Sequence, residues 1–214
     1  MDGGSKDGTL AIIQEYAGRL RYVSEPDRGI YDAMNKGIAM ASGDYIGMLN
    51  ADDYFSDNAV ISQVVEAIQG SNSDVIFSQL DVVDDRDTSR TLRRYRVSRY
   101  SRDMLRVGMM PAHPTVYIRR GCYQQLGLAP YRTDYQIAAD FELMVRLLMT
   151  QDVSHTCLPR VTIKMRAGGV SNRSLGARVQ LNREIIRACQ ENALYTNWLL
   201  LLLKVPARLL ELVR

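Results

Sequence analysis

Features that would place this 214-residue chain in a special structural class are scarce. It has three cysteines, at Cys122, Cys157 and Cys189. Because they are isolated and odd in number, they argue against a disulfide framework and a CxxC metal site, and they predict a reducing compartment, the cytoplasm. No apolar run reaches the roughly 18–20 residues of a membrane-spanning helix. The polar start at Met1 is also unlike a secretory signal.

Charge is distributed unevenly along the chain, although the net charge is only +3. Residues 1–159 contain 17 Lys and Arg against 21 Asp and Glu, a net of −4. Residues 160–214 contain 10 against 3, a net of +7. We therefore expect the two ends of the chain to face different partners. The expected division is a globular domain over residues 1–174 and a helical segment over residues 175–214.

Helical and strand-like patterns alternate through much of the sequence. Apolar residues at helical spacing predict helices, and compact apolar runs predict buried strands. The helices are expected over 31–41, 57–69, 140–149 and 175–194, and the strands over 45–49, 74–77, 116–118 and 158–165. This alternation predicts an α/β fold with a mostly parallel sheet flanked by helices, which residues 80–100 interrupt with an antiparallel excursion.

The sharpest local feature is the sequence Asn50-Ala51-Asp52-Asp53, which directly follows the strand predicted over 45–49. In open α/β sheets, ligands bind beyond the carboxyl ends of the strands. Paired carboxylates at such a position suit a hard divalent cation that also binds phosphate oxygens. An acidic turn that caps the following helix fits the same four residues.

These four residues belong to a longer series of motifs. Residues 2–9 read DGGSKDGT and residues 25–37 read EPDRGIYDAMNKG, and HPT at 113–115, AADFEL at 138–143 and GGVS at 168–171 follow later. In this order the motifs resemble the family-2 glycosyltransferases of the GT-A fold, a Rossmann-like fold. The likeness is greatest to bacterial enzymes of exopolysaccharide and lipid-linked oligosaccharide assembly, and it covers about residues 2–175.

The resemblance implies an inverting, metal-dependent enzyme that moves a sugar from a nucleotide diphosphate sugar to a saccharide or lipid-linked acceptor in cell-surface polysaccharide synthesis. It implies that Asp53 binds Mn²⁺ or Mg²⁺, that Asp52 lies near the ribose and that Asp2 lies at the nucleotide base. Asp140 matches the general base that takes the acceptor's proton. A simple helix cap is the other interpretation of Asp140.

Several cations are candidates for contacts with phosphate or acceptor. Arg28 is assigned to nucleotide-sugar binding, and His113, Arg94 and Arg96 to acceptor or diphosphate contacts. Solvent-exposed arginines and a structural histidine are the plainer interpretations. The arginine-rich stretch 86–106 also suggests a nucleic-acid surface, but the net negative charge of the first 159 residues argues against it, so no nucleic acid is expected.

The terminal segment, residues 197–214, is strongly apolar and carries Lys204, Arg208 and Arg214. This pattern predicts an amphipathic segment that lies on the inner face of the cell membrane, making the protein cytoplasmic and peripheral. A helix packed on the core or on another subunit is the alternative.

Relatives of this family begin some tens of residues earlier, with a first strand and part of the nucleotide pocket ahead of the position of Met1. The sequence therefore predicts either a fragment or a true start that lies upstream. The alternative function is a truncated, non-catalytic remnant that acts at most as a binding or membrane-associated module.

Overall fold

The computed structural model describes residues 1–96, 100–168 and 174–204. The helices are α1 (Thr9–Glu15), α2 (Ile30–Met40), α3 (Val60–Ser71), α4 (Arg120–Gln125), α5 (Ala139–Val145), α6 (Leu175–Glu191) and α7 (Trp198–Leu202). The strands are β1 (Tyr45–Gly47), β2 (Tyr54–Phe55), β3 (Val75–Val83), β4 (Thr91–Tyr95), β5 (Tyr117–Arg119) and β6 (His155–Arg166). None of the helices in the described part of the chain is long and apolar enough to cross a membrane.

The sheet has the order β1-β5-β3-β6-β2, and β4 pairs with the second half of β3. Strands β3 and β6 run parallel, from the pair Val75 and His155 to the pair Val83 and Arg166. Strands β2, β4 and β5 run antiparallel to the strands they pair with, so the sheet is mixed. The predicted α/β class with flanking helices is confirmed, but the sheet is mixed where the sequence predicted a mostly parallel one. Strand β4 is the antiparallel excursion predicted within residues 80–100.

Strand β3 lies in the middle of the sheet, and its first six residues are all buried. Burial on both faces explains why its start reads as a continuous apolar run. The strand continues beyond the predicted end at residue 77 because its polar residues find partners inside the sheet. The Ser78 and Thr162 hydroxyls, for example, lie 2.5 Å apart in a buried hydrogen bond.

Helix α2 is joined to the loop before α5 by a reciprocal pair of buried hydrogen bonds. The Asn35 side-chain amide donates to the Tyr131 carbonyl at 2.7 Å, and the Tyr131 backbone N–H donates to Asn35 Oδ1 at 2.9 Å. The Tyr31 and Tyr131 rings stack with centroids 6.0 Å apart. Helix α2 therefore fixes the loop that leads toward α5.

Helices α6 and α7 complete the described part of the chain. Leu201 is buried, and the buried Lys204 ammonium donates to Asn182 Oδ1 at 2.6 Å. Lys204 therefore anchors α7 to α6, which corrects its predicted place among the cations that face a membrane. Residues 169–171 of the GGVS motif and residues 205–214, with Arg208 and Arg214, lie outside the described residues. The division of the chain at residue 174 stays a prediction.

Replacing Asn35 with alanine should lower the free energy of unfolding by about 2–3 kcal/mol, because a buried N–H and a buried C=O of Tyr131 would lose their partner. Chemical denaturation of the Asn35→Ala variant measures this loss. Asn58→Ala, at an exposed turn residue, is the matched control and should change stability by no more than about 0.5 kcal/mol. Equal effects of the two substitutions would contradict the proposed anchoring role.

Candidate active site

A cavity of about 300 Å³ opens between α2, the start of α5, β4 and α6. Most of its wall is apolar, and the apolar side chains include Ile30, Met34, Leu80, Met110, Ile137, Phe141, Met165, Leu181 and Ile185. A smaller set of polar or titratable side chains reaches the same space: Tyr31, Asn50, Arg93, Tyr95, His113 and Asp140. An apolar cavity with a few convergent polar groups is typical of a binding or active site.

Asp140 is the acidic side chain in the wall of this cavity. It lies in the first turn of α5, where its Oδ1 accepts a hydrogen bond from the Phe141 backbone N–H at 2.8 Å. Burial raises its pKa to about 6, although the backbone hydrogen bonds oppose the shift, and the charge of Glu184 raises the pKa further. A carboxyl group whose pKa is raised toward physiological pH is suited to general acid–base chemistry.

Glu142, two residues later, has a structural role. It is fully buried, and both of its carboxylate oxygens accept hydrogen bonds from Arg146 at 2.7 Å. Arg146 also donates to the Pro130 carbonyl, so the ion pair ties α5 to the loop before it. Of the two carboxylates in this helix, Asp140 is the one that lines the cavity.

His113 lines the cavity from the loop that follows Gly108. Its Nε2 lies 2.6 Å from the Tyr131 hydroxyl, and burial lowers the pKa of His113 to about 4. The imidazole is therefore neutral at physiological pH. It lines the cavity as a neutral hydrogen-bonding group, and its predicted contact with acceptor or diphosphate stays a prediction.

The acidic motif lies in the turn between β1 and β2. Asp53 is buried, and its Oδ2 accepts a hydrogen bond from the Asn50 side-chain amide at 2.9 Å. Its Oδ1 is buried and has no hydrogen-bond partner in the described part of the chain. Burial raises the pKa of Asp53, the Asn50 bond opposes this shift, and the charge of the exposed Asp52 adds to it.

This arrangement fits a divalent cation that phosphate groups help to hold. Mg²⁺ in proteins commonly keeps several waters and binds one or two carboxylates together with substrate phosphates. The buried, unpartnered oxygen of Asp53 and the neighbouring Asp52 could supply that many ligands. Within residues 1–96, 100–168 and 174–204, no group of three or more His, Cys, Asp or Glu side chains could hold a metal.

Asp2 organises the turn that begins the described chain. Its carboxylate accepts hydrogen bonds from the Gly4 and Ser5 backbone N–H groups at 3.1 and 3.0 Å, and from the Ser5 and Ser24 hydroxyls at 2.5 and 2.6 Å. The Ser24 and Ser5 hydroxyl bonds contribute most to lowering the pKa of Asp2 to about 2. Its oxygens thus already have protein partners, and its predicted contact with a nucleotide base stays a prediction.

The arginines predicted to contact phosphate or acceptor differ in their surroundings. Arg28 is exposed and forms an ion pair with Asp32 at 3.2 Å. Arg94 and Arg96 do not line the cavity, whereas Arg93, the residue just before Arg94 on β4, does. Arg96 pairs instead with Asp81 at 2.9 Å.

Arg93 and Tyr95 share one face of β4 because side chains alternate along a strand. The Arg93 guanidinium lies 5.9 Å from the centroid of the Tyr95 ring, and both residues line the cavity. The predicted acceptor or diphosphate contacts of Arg94 and Arg96 stay predictions. The sequence showed that arginines were concentrated here but not which face of the strand each would take.

Comparisons with known proteins show which sequences this chain resembles. The sequence profile described as Glycosyl transferase family 2 matches residues 1–125. The chain is 30% identical over 151 residues to a PGL/p-HBAD biosynthesis glycosyltransferase of Mycobacterium bovis, covering 68% of this chain and 56% of that protein. It is 28% identical over 147 residues to chondroitin synthase of Pasteurella multocida, covering 67% and 15%. The chain thus spans about half the length of the mycobacterial relative.

Solved structures show the same fold. The crystal structure of S. aureus TarS residues 1–349 in complex with UDP superposes with a TM-score of 0.60 at 16% sequence identity. The match covers 87% of this chain and 54% of that one. The structure of the same TarS fragment described without UDP gives a TM-score of 0.59.

We expect Asp140→Asn to stabilise the protein above pH 6. The pKa of Asp140 is about 6 in the folded protein against 3.8 ordinarily, so the folded state holds this proton more tightly than the unfolded state. Wild-type stability should therefore fall as pH rises from about 4 to about 6. At 1.36 kcal/mol per unit, the variant should gain about 3 kcal/mol above pH 6 and nothing below pH 4.

Denaturation midpoints measured between pH 2 and pH 8 test this expectation. Asp134→Asn is a control of opposite sign, because hydrogen bonds from Arg132 and Arg187 lower the pKa of Asp134 to about 2. That variant should lose stability at neutral pH, and the loss should shrink as the pH approaches 2. If Asp140→Asn gained no more at pH 8 than at pH 4, Asp140 would not carry the raised pKa.

Proposed function

The chain belongs to glycosyl transferase family 2, and from that premise we propose that it forms the catalytic domain of an inverting, metal-dependent glycosyltransferase. The donor is a nucleotide diphosphate sugar and the acceptor is a saccharide or a lipid-linked saccharide of cell-surface polysaccharide synthesis. One observation supports this proposal above all others. Asp140 and Asn50, from the acidic motif, line the same cavity although they lie far apart in the sequence.

Asp140 supplies the base of the proposed reaction. Its carboxylate accepts the proton of an acceptor hydroxyl, and the hydroxyl oxygen forms a bond to the anomeric carbon of the sugar. The bond from that carbon to the diphosphate oxygen breaks in the same step. Attack from the side opposite the leaving group inverts the anomeric configuration, and a base with a pKa of about 6 is ionised at neutral pH.

Asp53, with Asp52 beside it, is the proposed ligand for Mn²⁺ or Mg²⁺. When bound, the cation would neutralise the negative charge that develops on the leaving diphosphate. Asn50 orients Asp53 through the hydrogen bond to Oδ2. This bond leaves the buried Oδ1 as the oxygen available to a ligand.

The wall of the cavity bears on the choice of acceptor. Apolar side chains from α2, β6 and α6, such as Met34, Met165 and Leu181, face the same space as Asp140. An acceptor whose hydroxyl is carried on a partly apolar molecule would cover this apolar surface and remove it from water. A bare sugar would instead place polar groups against it. We therefore favour a lipid-linked acceptor over a free saccharide.

Helix α7 supports a peripheral location at the inner face of the cell membrane. Its buried residue is Leu201, while Trp198, Leu199, Leu202 and Leu203 are exposed, Leu199 by 75%. A contiguous exposed apolar surface of this kind is typical of a partner or membrane contact. The positive net charge of residues 160–214 favours an anionic lipid surface as that partner.

Two substitutions should separate the proposed roles. Asp140→Asn keeps the shape of the side chain but removes the base, so turnover should fall by about 10²–10⁴-fold while donor binding is unchanged. Asp53→Ala should instead remove the ability of Mn²⁺ or Mg²⁺ to stimulate transfer. Initial rates and calorimetric donor titrations, with and without the metal, measure both effects.

Asp44→Asn is the matched control, because Asp44 is exposed just before β1 begins, at the end of the strand away from the acidic motif. It should leave turnover and metal response unchanged. Normal turnover in Asp140→Asn would remove the assignment of the base. Normal metal stimulation in Asp53→Ala would remove the assignment of the metal ligand.

The membrane contact can be tested without disturbing packing, because the exposed and buried leucines of α7 are distinct. The double substitution Leu199→Gln with Leu202→Gln should reduce binding to vesicles of phosphatidylglycerol and phosphatidylcholine by at least about tenfold, since each leucine loses about 1.5–3 kcal/mol of apolar burial. Flotation of the vesicles measures the bound fraction.

Leu128→Gln is the control, because Leu128 is 99% exposed in the turn that follows α4 and lies outside α7. It should bind vesicles as the wild type does. If the wild type failed to float with anionic vesicles at low salt, the membrane proposal would be wrong.

A further inference from the structure

Glu184 lies on α6 and is not part of any motif singled out above, yet it is only 4% exposed. Its carboxylate accepts hydrogen bonds from three consecutive backbone N–H groups, those of Gln136, Ile137 and Ala138, at 2.9, 2.9 and 2.8 Å. The Gln180 side-chain amide donates a fourth bond at 2.9 Å. One buried carboxylate therefore fixes the backbone that leads directly into α5.

The peptide groups of Ile137 are held from two sides. Its N–H donates to Glu184 Oε2, and its carbonyl accepts a hydrogen bond from the Tyr31 hydroxyl at 2.5 Å. Tyr31 is itself fixed on α2, where its ring stacks on Tyr131. Helices α2 and α6 thus clamp the chain just before Asp140.

We propose that Glu184 is the positioning residue of the transfer site: it holds residues 136–138 so that the Asp140 carboxylate faces the cavity, and it places a second negative charge behind that carboxylate. This inference rests on the proposed role of Asp140 as the base. The backbone bonds of Glu184 govern where Asp140 lies, and its charge governs the pH at which Asp140 ionises.

Several titratable groups surround Asp140. Those packed near it or sharing its cavity are Glu184 of α6, Tyr31 of α2, Tyr131 of the loop before α5, Arg93 and Tyr95 of β4, and His113. Burial raises the pKa of Tyr31 and Tyr131 above the physiological range and lowers the pKa of His113 to about 4, so these three groups are neutral at pH 6–8. The Tyr95 hydroxyl donates its proton in a hydrogen bond to the Met110 carbonyl. Arg93 supplies a positive charge.

Among these described groups, Glu184 is therefore the negative charge that acts on Asp140 at neutral pH. Burial works to raise the pKa of Glu184, but the hydrogen bonds from the backbone and from Gln180 lower it overall. Because Glu184 stays ionised, it opposes ionisation of Asp140. Removing that charge should lower the pKa of Asp140.

A purely structural role for Glu184 makes a different prediction. Three buried N–H groups would lose an acceptor, which would destabilise the protein without changing the pH dependence of turnover. Glu191 offers the comparison, because it lies two turns later on α6 and accepts hydrogen bonds from Tyr135, Arg132 and Arg187. It makes no hydrogen bond to residues 136–138 in the described structure.

The test compares Glu184→Gln, Glu184→Asp and Glu191→Gln in the full chain, by kcat and KM between pH 5 and pH 8. In Glu184→Gln, kcat should fall about tenfold or more, the donor KM should stay constant, and the acidic limb of the kcat profile should move to lower pH. Glu184→Asp keeps the charge, but its shorter side chain would reach the N–H groups of residues 136–138 less well. Its kcat should therefore fall, while the acidic limb of the kcat profile stays at the same pH. Glu191→Gln should leave both kcat and the limb unchanged.

An unchanged limb and unchanged kcat in Glu184→Gln would overturn the proposal, even if the variant were less stable. A second readout does not depend on activity: the stability gained on Asp140→Asn at pH 8 should be smaller in the Glu184→Gln background than in the wild-type background. Equal gains in the two backgrounds would also overturn it. By contrast, full turnover by Asp140→Asn would refute the proposed function itself.

Discussion

A carboxylate that is surrounded by apolar side chains is costly to keep ionised, and the candidate site depends on how the chain holds Asp140 in that condition. Burial alone would raise the pKa of Asp140 and favour its protonated form. Here the Phe141 backbone N–H binds its Oδ1, and the segment before it is fixed by Glu184 and Tyr31. The segment just before Asp140 is thus held by hydrogen bonds from side chains of two helices, α2 and α6, that lie far apart in the sequence.

The electrostatics of the cavity follow from the same constraint. Tyr31, Tyr131 and His113 are neutral at physiological pH because burial shifts their pKa values away from that range. The charged residues Arg28, Arg94 and Arg96 lie outside the cavity wall, where water or ion pairs solvate them. A cavity with few charges strengthens the interactions of those that remain, which are Asp140 and Arg93.

The sequence predicted the local elements well but not the contacts between them. Apolar spacing predicts helices α2, α3 and α6 and strands β1 and β6. The acidic motif at Asp52 and Asp53 lies in the turn after β1, as expected of a motif beyond the carboxyl end of a strand. The partners of Tyr31 and Asn35 lie 106 and 96 residues away, so no local pattern reveals them. On β4, a shift of one residue decides which arginine faces the cavity, and that register depends on pairing with β3.

A crystal structure of the protein with a nucleoside diphosphate and Mn²⁺, with anomalous diffraction to locate the metal, would show whether donor and metal bind at this cavity. We expect a manganese peak within coordination distance of the Asp53 carboxylate. We also expect the diphosphate to lie on the side of the cavity opposite Asp140, leaving room for an acceptor between them. A nucleotide bound away from this cavity, or a metal bound without Asp53, would refute the proposed site.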